Sequence, residues 1–140
     1  MDFVKFKLDA DYDDYSSQEA SNIDMCLLGF FFSDLGCGSR AFQSPSFLEW
    51  ALADKNSQNS CFANTLGTNS TILSDCEDGF IYVYDDTGND PDGQACKPAK
   101  ISREQFVKLL EDWRDKVCKT KPKKVIIKHE KGQFTIETSG

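Results

Sequence analysis

The sequence predicts an α+β fold: a single domain over residues 1–140, with one antiparallel sheet and two or more helices packed on it. Three observations predict it. Residues 102–138 carry an amphipathic helical stretch followed at once by a hairpin pattern. Residues 70–84 carry a second hairpin pattern, and no repeat or low-complexity linker divides the chain. At 140 residues the chain is long enough to bury a core without metal or disulfide staples.

Residues 3–8, Phe-Val-Lys-Phe-Lys-Leu, read as a short strand of mixed pattern. Asp9 to Asn22 is acidic and Ser-rich with few core formers, and reads as loop or a loosely anchored helical turn. Met25 to Phe32 is an eight-residue apolar run that reads as a buried strand. A buried helix stays open, because periodicity cannot separate the two in so short a run. Ser44-Pro45 opens a helix, with Ser44 as cap and Pro45 where its missing N–H costs nothing. Residues 55–70, rich in Asn and Ser, read as loop. Strand patterns at Ser70–Asp75 and Phe80–Tyr84 flank Asp78-Gly79, a two-residue hairpin turn. Asp85 to Pro98 then reads as an exposed acidic loop.

The last third is the most explicit. Ser102-Arg103-Glu104-Gln105 is a capping box, in which Ser102 takes the Gln105 N–H and Gln105 reaches back. Ile101 and Phe106 occupy the hydrophobic positions on either side. Phe106, Leu109, Leu110, Trp113 and Val117 form one helical face, and Pro122 closes the segment. A hairpin about Lys131-Gly132 sets His129 opposite Phe134 and Ile127 opposite Ile136. Val125, Ile127, Phe134 and Ile136 then share an apolar face, with Ile126, Lys128, Thr135 and Glu137 on the other.

Charge is sorted along the chain. Residues 1–96 hold 17 Asp/Glu against 4 Lys/Arg, whereas residues 97–140 hold 12 Lys/Arg against 6 Asp/Glu. A surface built from the first two thirds repels nucleic acid and anionic membranes and attracts a basic protein. The N-terminus lacks a basic leader with an apolar run, so no secretory signal is expected. The apolar run at 25–32 is far short of a membrane span, so no membrane association is expected either. Six cysteines, at 26, 37, 61, 76, 96 and 118, contain no Cys-x-x-Cys pair. Without a leader, free thiols in a reducing cytosol are favoured over disulfides in an exported chain.

Little in the chain points to turnover. His129 is the only histidine, and its expected place is on the apolar face of the sheet near a hairpin end. No cysteine has the glycine-rich or basic setting of an activated nucleophile, and neither a phosphate loop nor a dinucleotide fingerprint is present. No enzyme activity, cofactor or metal is therefore expected. Residues 85–93 resemble a calcium loop in composition. Aligning Gly93 with the loop glycine puts Gly88 in place of the first Asp and Ala99 in place of the Glu. The basic tail, Lys116 to Lys131, lacks interleaved aromatics and reads as a solvated face.

The candidate partner-binding set is Asp75, Glu77, Asp78, Asp85, Asp86, Asp90 and Asp92 with Tyr82 and Tyr84. Phe80, Tyr82 and Tyr84 share one strand face. Tyrosines bury large area while keeping a hydroxyl to pair, and carboxylates around them would bond the Lys and Arg of a basic partner. The competing reading packs the three rings inside and leaves the acids as a solvated rim. Asp9, Asp11, Asp13 and Asp14 with Tyr12 and Tyr15 have the same character in a looser setting.

Ile101-Ser102, Phe106, Leu109-Leu110, Trp113, Pro122, Val125-Ile126-Ile127, Glu130, Gly132, Phe134 and Ile136-Glu137 together resemble the C-terminal part of bacterial immunity proteins of polymorphic toxin systems. Those of contact-dependent growth inhibition are the nearest comparison. The resemblance covers about a third of the chain and is a pattern of core positions. It implies a small cytoplasmic α+β protein that binds the C-terminal domain of one cognate toxin, often a basic nuclease, and blocks its active site. It transfers no binding residue. The alternative expectation is a small exported domain that is disulfide-bonded or calcium-dependent.

Overall fold

Antiparallel pairing sorts the strands into two four-stranded sheets with a helical layer between them. The computed structural model describes residues 1–9, 14–37, 65–67, 71–75, 79–85 and 97–139. Strands β1 (Asp2–Asp9), β2 (Asp14–Ala20), β7 (Lys124–Glu130) and β8 (Gln133–Ser139) form sheet A in the order β2-β1-β7-β8. Strands β3 (Thr65–Gly67), β4 (Thr71–Asp75), β5 (Phe80–Asp85) and β6 (Ala99–Ser102) form sheet B in chain order. Helix α1 (Ile23–Leu35) touches β1 and β2 of sheet A and β4, β5 and β6 of sheet B. Helix α2 (Arg103–Asp112) continues as a π-helical segment over Trp113–Cys118 and touches β5, β6 and β8. The fold class is α+β, with its antiparallel strands divided between two sheets.

Helix α1 covers the run expected as a strand. Met25, Leu27, Leu28, Gly29, Phe31, Phe32 and Leu35 are all buried. A helix pressed from both sides is apolar nearly all round, so the run shows no 3.6-residue period from which a helix could be read. Its start is capped by Asn22, whose Oδ1 accepts the Met25 N–H at 2.9 Å. Its end falls at Gly36, where φ is +55° and the amide donates to Phe32 O at 3.0 Å. Gly29 packs closely on sheet A. A Cβ there would lie 2.7 Å from Val4 Cγ2 and 3.2 Å from Ser17 Cβ.

Strand β2 replaces the loop expected over residues 9–22. It is a polar edge strand whose one buried large side chain is Tyr15. Its pairing with β1 shifts between Lys5 and Phe6, leaving Gln18 as the extra residue of a bulge. Polar residues and a bulge are what keep an exposed edge from pairing with another chain. The Tyr15 hydroxyl donates to Pro122 O at 2.6 Å, and the Ser17 N–H donates to Ser33 Oγ at 2.9 Å. These bonds tie the edge to the core and to α1.

The C-terminal expectations hold in detail. Phe106, Leu109, Leu110, Trp113 and Val117 are all buried. Ile127 pairs with Ile136 and His129 with Phe134, and Val125, Ile127, Phe134 and Ile136 point inward. Lys131 and Gly132 both take positive φ, +54° and +76°, as a two-residue turn of matching twist requires. One arm of the capping box differs. The Gln105 N–H donates to Ser102 Oγ at 3.1 Å, but the Gln105 side chain turns to the hairpin. Its amide donates to Gln133 Oε1 at 2.9 Å, and its carbonyl accepts the Phe134 N–H at 3.2 Å. Gln105 thus staples β8 to α2.

Trp113 is the centre of the core. Its ring meets Phe6, Tyr15 and Phe32 at centroid distances of 5.2, 5.6 and 4.9 Å. Its Nε1–H donates to Gly36 O at 2.9 Å. Beside it, Cys37 is disulfide-bonded to Cys118 across 81 residues of sequence, with the Cα atoms 5.3 Å apart. This corrects the free-thiol expectation for that pair. The spacing of cysteines along the chain carries no information about which two elements the core brings together. Cys26 is half-buried on α1, and Cys61, Cys76 and Cys96 lie outside the described residues.

Two further expectations are corrected. Thr65–Gly67, expected as loop, pairs with β4. A two-residue Asp78-Gly79 loop would set Asp75 opposite Tyr82, yet Asp75 pairs with Ile81 and Ser74 with Tyr82, one residue off. The Ser44-Pro45 helix and residues 86–96 of the acidic loop lie outside the described residues. Among the described residues, no helix is long and apolar enough to cross a membrane.

Candidate functional site

The aromatic row on β5 is built by strand alternation. Ile81 and Val83 face the helical layer and are fully buried, so Phe80, Tyr82 and Tyr84 face the other way and are half-buried. Register supplies their neighbours: Ile72 opposite Tyr84, Ser74 and Lys100 opposite Tyr82, and Ser102 opposite Phe80. The Lys100 ammonium sits 4.0 Å from the Phe80 ring centroid and 5.9 Å from that of Tyr82. A cation held over a ring face is attracted by the negative face of the π system. The Arg103 N–H donates to Gly79 O at 2.9 Å, fixing the start of this row against the first turn of α2.

The carboxylates of the candidate set divide. Asp85 ends β5 opposite Thr71, one residue out of phase with Tyr82 and Tyr84 and so on the other side of the strand. Asp75 holds the register position opposite Ile81, again out of phase with the tyrosines. Glu77, Asp78, Asp86, Asp90 and Asp92 lie outside the described residues. The structure therefore brings Tyr82 and Tyr84 together, joins Phe80 and Lys100 to them, and separates Asp85 from that face. Lys100 was not among the candidates. Its lone position in a short strand, two residues past the acidic loop, gives it no distinguishing mark in sequence.

The second acidic group is also divided. Tyr15 is a core residue rather than a surface ring, and Asp9 and Asp14 face each other at the end where the chain passes from β1 to β2. Asp11, Tyr12 and Asp13 lie outside the described residues. Taken together, the described residues carry 14 Asp/Glu and 14 Lys/Arg, so the acidic excess of the chain falls on the remaining segments.

His129 stacks flat on Phe134, with centroids 4.0 Å apart and rings 4° from parallel. It fills the sheet position expected for it. Among the described residues, no group of three His, Cys, Asp or Glu side chains could hold a metal ion. The strongest electrostatic perturbation lies on the π-helical segment. Asp115 is held down to about 2, first by its hydrogen bond to Arg114 and then by Lys119, at 2.9 and 3.1 Å. Arg114 is raised by the same contact.

The chain matches no protein-family model, and comparison with curated proteins and with solved structures returns no significant match.

Proposed function

We propose that this chain is an immunity-type binding protein that takes up a basic partner, the nuclease domain of a cognate toxin, and blocks its active site without turnover of its own. The observation that carries the reading is the outward row of Phe80, Tyr82 and Tyr84, which already holds the Lys100 cation at 4.0 Å. A Lys or Arg of a partner is the same chemistry, and desolvation at an interface strengthens it. The surrounding sequence fits such a partner. No Lys or Arg occurs from residue 56 to 96, while Glu77, Asp78, Asp86, Asp90 and Asp92 supply carboxylates along the same stretch of sequence. Those carboxylates would take the place of phosphate in the partner's basic groove. A cytoplasmic location belongs to this reading. The test is calorimetry with the polypeptide encoded beside this chain's gene. Tight binding that Tyr82→Ala weakens by roughly tenfold or more supports it. A neighbouring product that does not bind, or binding indifferent to Tyr82 and Tyr84, counts against it.

A second reading, a small exported binding domain, is favoured by the Cys37–Cys118 disulfide, since such bonds persist in oxidising compartments. A thiol count on unreduced protein from its own host separates the two. Six reactive thiols favour the cytoplasmic protein, and a count reduced by a disulfide favours the exported one.

A further inference from the structure

The outer face of sheet A carries a group of lysines. On the outer face of sheet A, register sets Lys5 opposite Glu19 and Ile126, Lys7 opposite Lys124, and Phe3 opposite Lys128. Two of the four lysines are answered by acids: Lys5 reaches Glu19 at 3.6 Å and Lys128 reaches Glu137 at 2.6 Å. Lys7 and Lys124 are not. They are exposed, face each other directly across two hydrogen-bonded central strands, and make no ion pair among the described residues. Like charges in that position destabilise a sheet, and nothing in the folding of β1 against β7 requires them.

The pair lies at a cleft of about 410 Å³ that crosses sheet A, lined by Lys5, Lys7, Gln18, Lys124, Ile126 and Ser139, with Glu137 on its wall. That volume is within the range of small-molecule sites. The lining is rich in donors: three ammonium groups and the Ser139 hydroxyl over an apolar floor at Ile126, with the Gln18 amide beside them bonded to Ser16. The carboxylates nearby are Glu137 and Glu19, each already engaged by a lysine, and Asp9. Asp9 follows Lys7 by two residues and lines an adjoining hollow that shares Lys7 and Gln18 with the cleft, on its far side from Lys124 and Ile126.

We propose that this cleft binds the phosphate monoester of a small molecule, with the phosphate between the Lys7 and Lys124 ammonium groups and the organic part over Ile126. A dianion there converts a repulsive cross-strand pair into two charge-assisted contacts. This site is independent of the partner surface on sheet B and stands or falls separately from it.

The experiment is an amide-shift titration at constant ionic strength with two probes, inorganic phosphate and adenosine monophosphate. Saturable shifts at Lys7, Lys124, Ile126 and Ser139 are expected. Adenosine monophosphate binding the tighter identifies a nucleotide-like ligand, and equal affinities identify phosphate alone. Lys7→Gln and Lys124→Gln should each weaken binding by roughly tenfold and raise the melting temperature, because each removes the like-charge pair. Lys116→Gln, on the π-helical segment, should change neither. Shifts spread over all the lysines, or an equal loss with Lys116→Gln, overturn the proposal. So does a fall in melting temperature on Lys7→Gln, which would mean that the pair is structural.

Discussion

Gly29→Ala tests the seating of α1, and its two physical terms have opposite signs. Alanine in place of glycine inside a helix should stabilise by about 1 kcal/mol through backbone entropy. In this helix the added Cβ lands 2.7 Å from Val4 Cγ2 and 3.2 Å from Ser17 Cβ. Val4 cannot give way. It is fully buried, stiff at χ1, and its strand is paired on both sides by β2 and β7. Overpacking of this kind costs about 1–3 kcal/mol, and a contact this short belongs at the upper end. The net expectation is a loss of about 2 kcal/mol. Val4→Ala should cost about 2 kcal/mol alone through the cavity it leaves. In that background Gly29→Ala has room, and its effect should fall to zero or become stabilising. Urea melts of the wild type, both single variants and the double variant give the coupling energy directly, expected at about 2 kcal/mol. A stabilising Gly29→Ala in the wild-type background, or no coupling to Val4, would refute the packing of α1 on β1.

Three further outcomes follow from the same contacts. Cys37→Ser should lower stability by up to about 4.5 kcal/mol, the chain-entropy value for so long a loop, and a reductant should reproduce the loss in wild type but not in the variant. Gln105→Ala should cost about 1–2 kcal/mol by freeing Gln133 and the Phe134 N–H, and hydrogen exchange should speed up at the Phe134 amide before the rest of sheet A. Asp115 is depressed in the folded chain, so its ion pairs contribute stability above the ordinary carboxylate range, and that contribution disappears as pH falls toward 2. Carboxyl NMR should place its midpoint at about 2, and Arg114→Gln should raise it. A normal midpoint in the wild type would contradict the Arg114 contact.

What could be read from the sequence was local. Ser102 caps within its own turn, Lys131-Gly132 fixes the register of the strands it joins, and the helical face from Phe106 to Val117 repeats at the right spacing. Those signals need no knowledge of distant residues. Helix α1 was hidden because both its sides are buried, and β2 because an edge strand needs only Tyr15 inside. The pairing of Cys37 with Cys118 and the bonding of Gln105 to Gln133 depend on tertiary contacts that no local pattern encodes. At the candidate site, period-two alternation correctly grouped Phe80, Tyr82 and Tyr84, while the assumption that neighbouring acids share their face failed for Asp85. Lys7 and Lys124 stand 117 residues apart, so a basic tail read alone gave no hint of the pair.

The most direct test of the proposed function is the affinity for the neighbouring gene's product as a function of ionic strength. Raising salt from 0.15 M to 1 M shortens the Debye length from about 8 Å to about 3 Å. Binding driven by carboxylates and aromatic rings meeting a basic groove should weaken at least tenfold over that range, chiefly through a slower association rate. An affinity that holds constant across it would contradict the account.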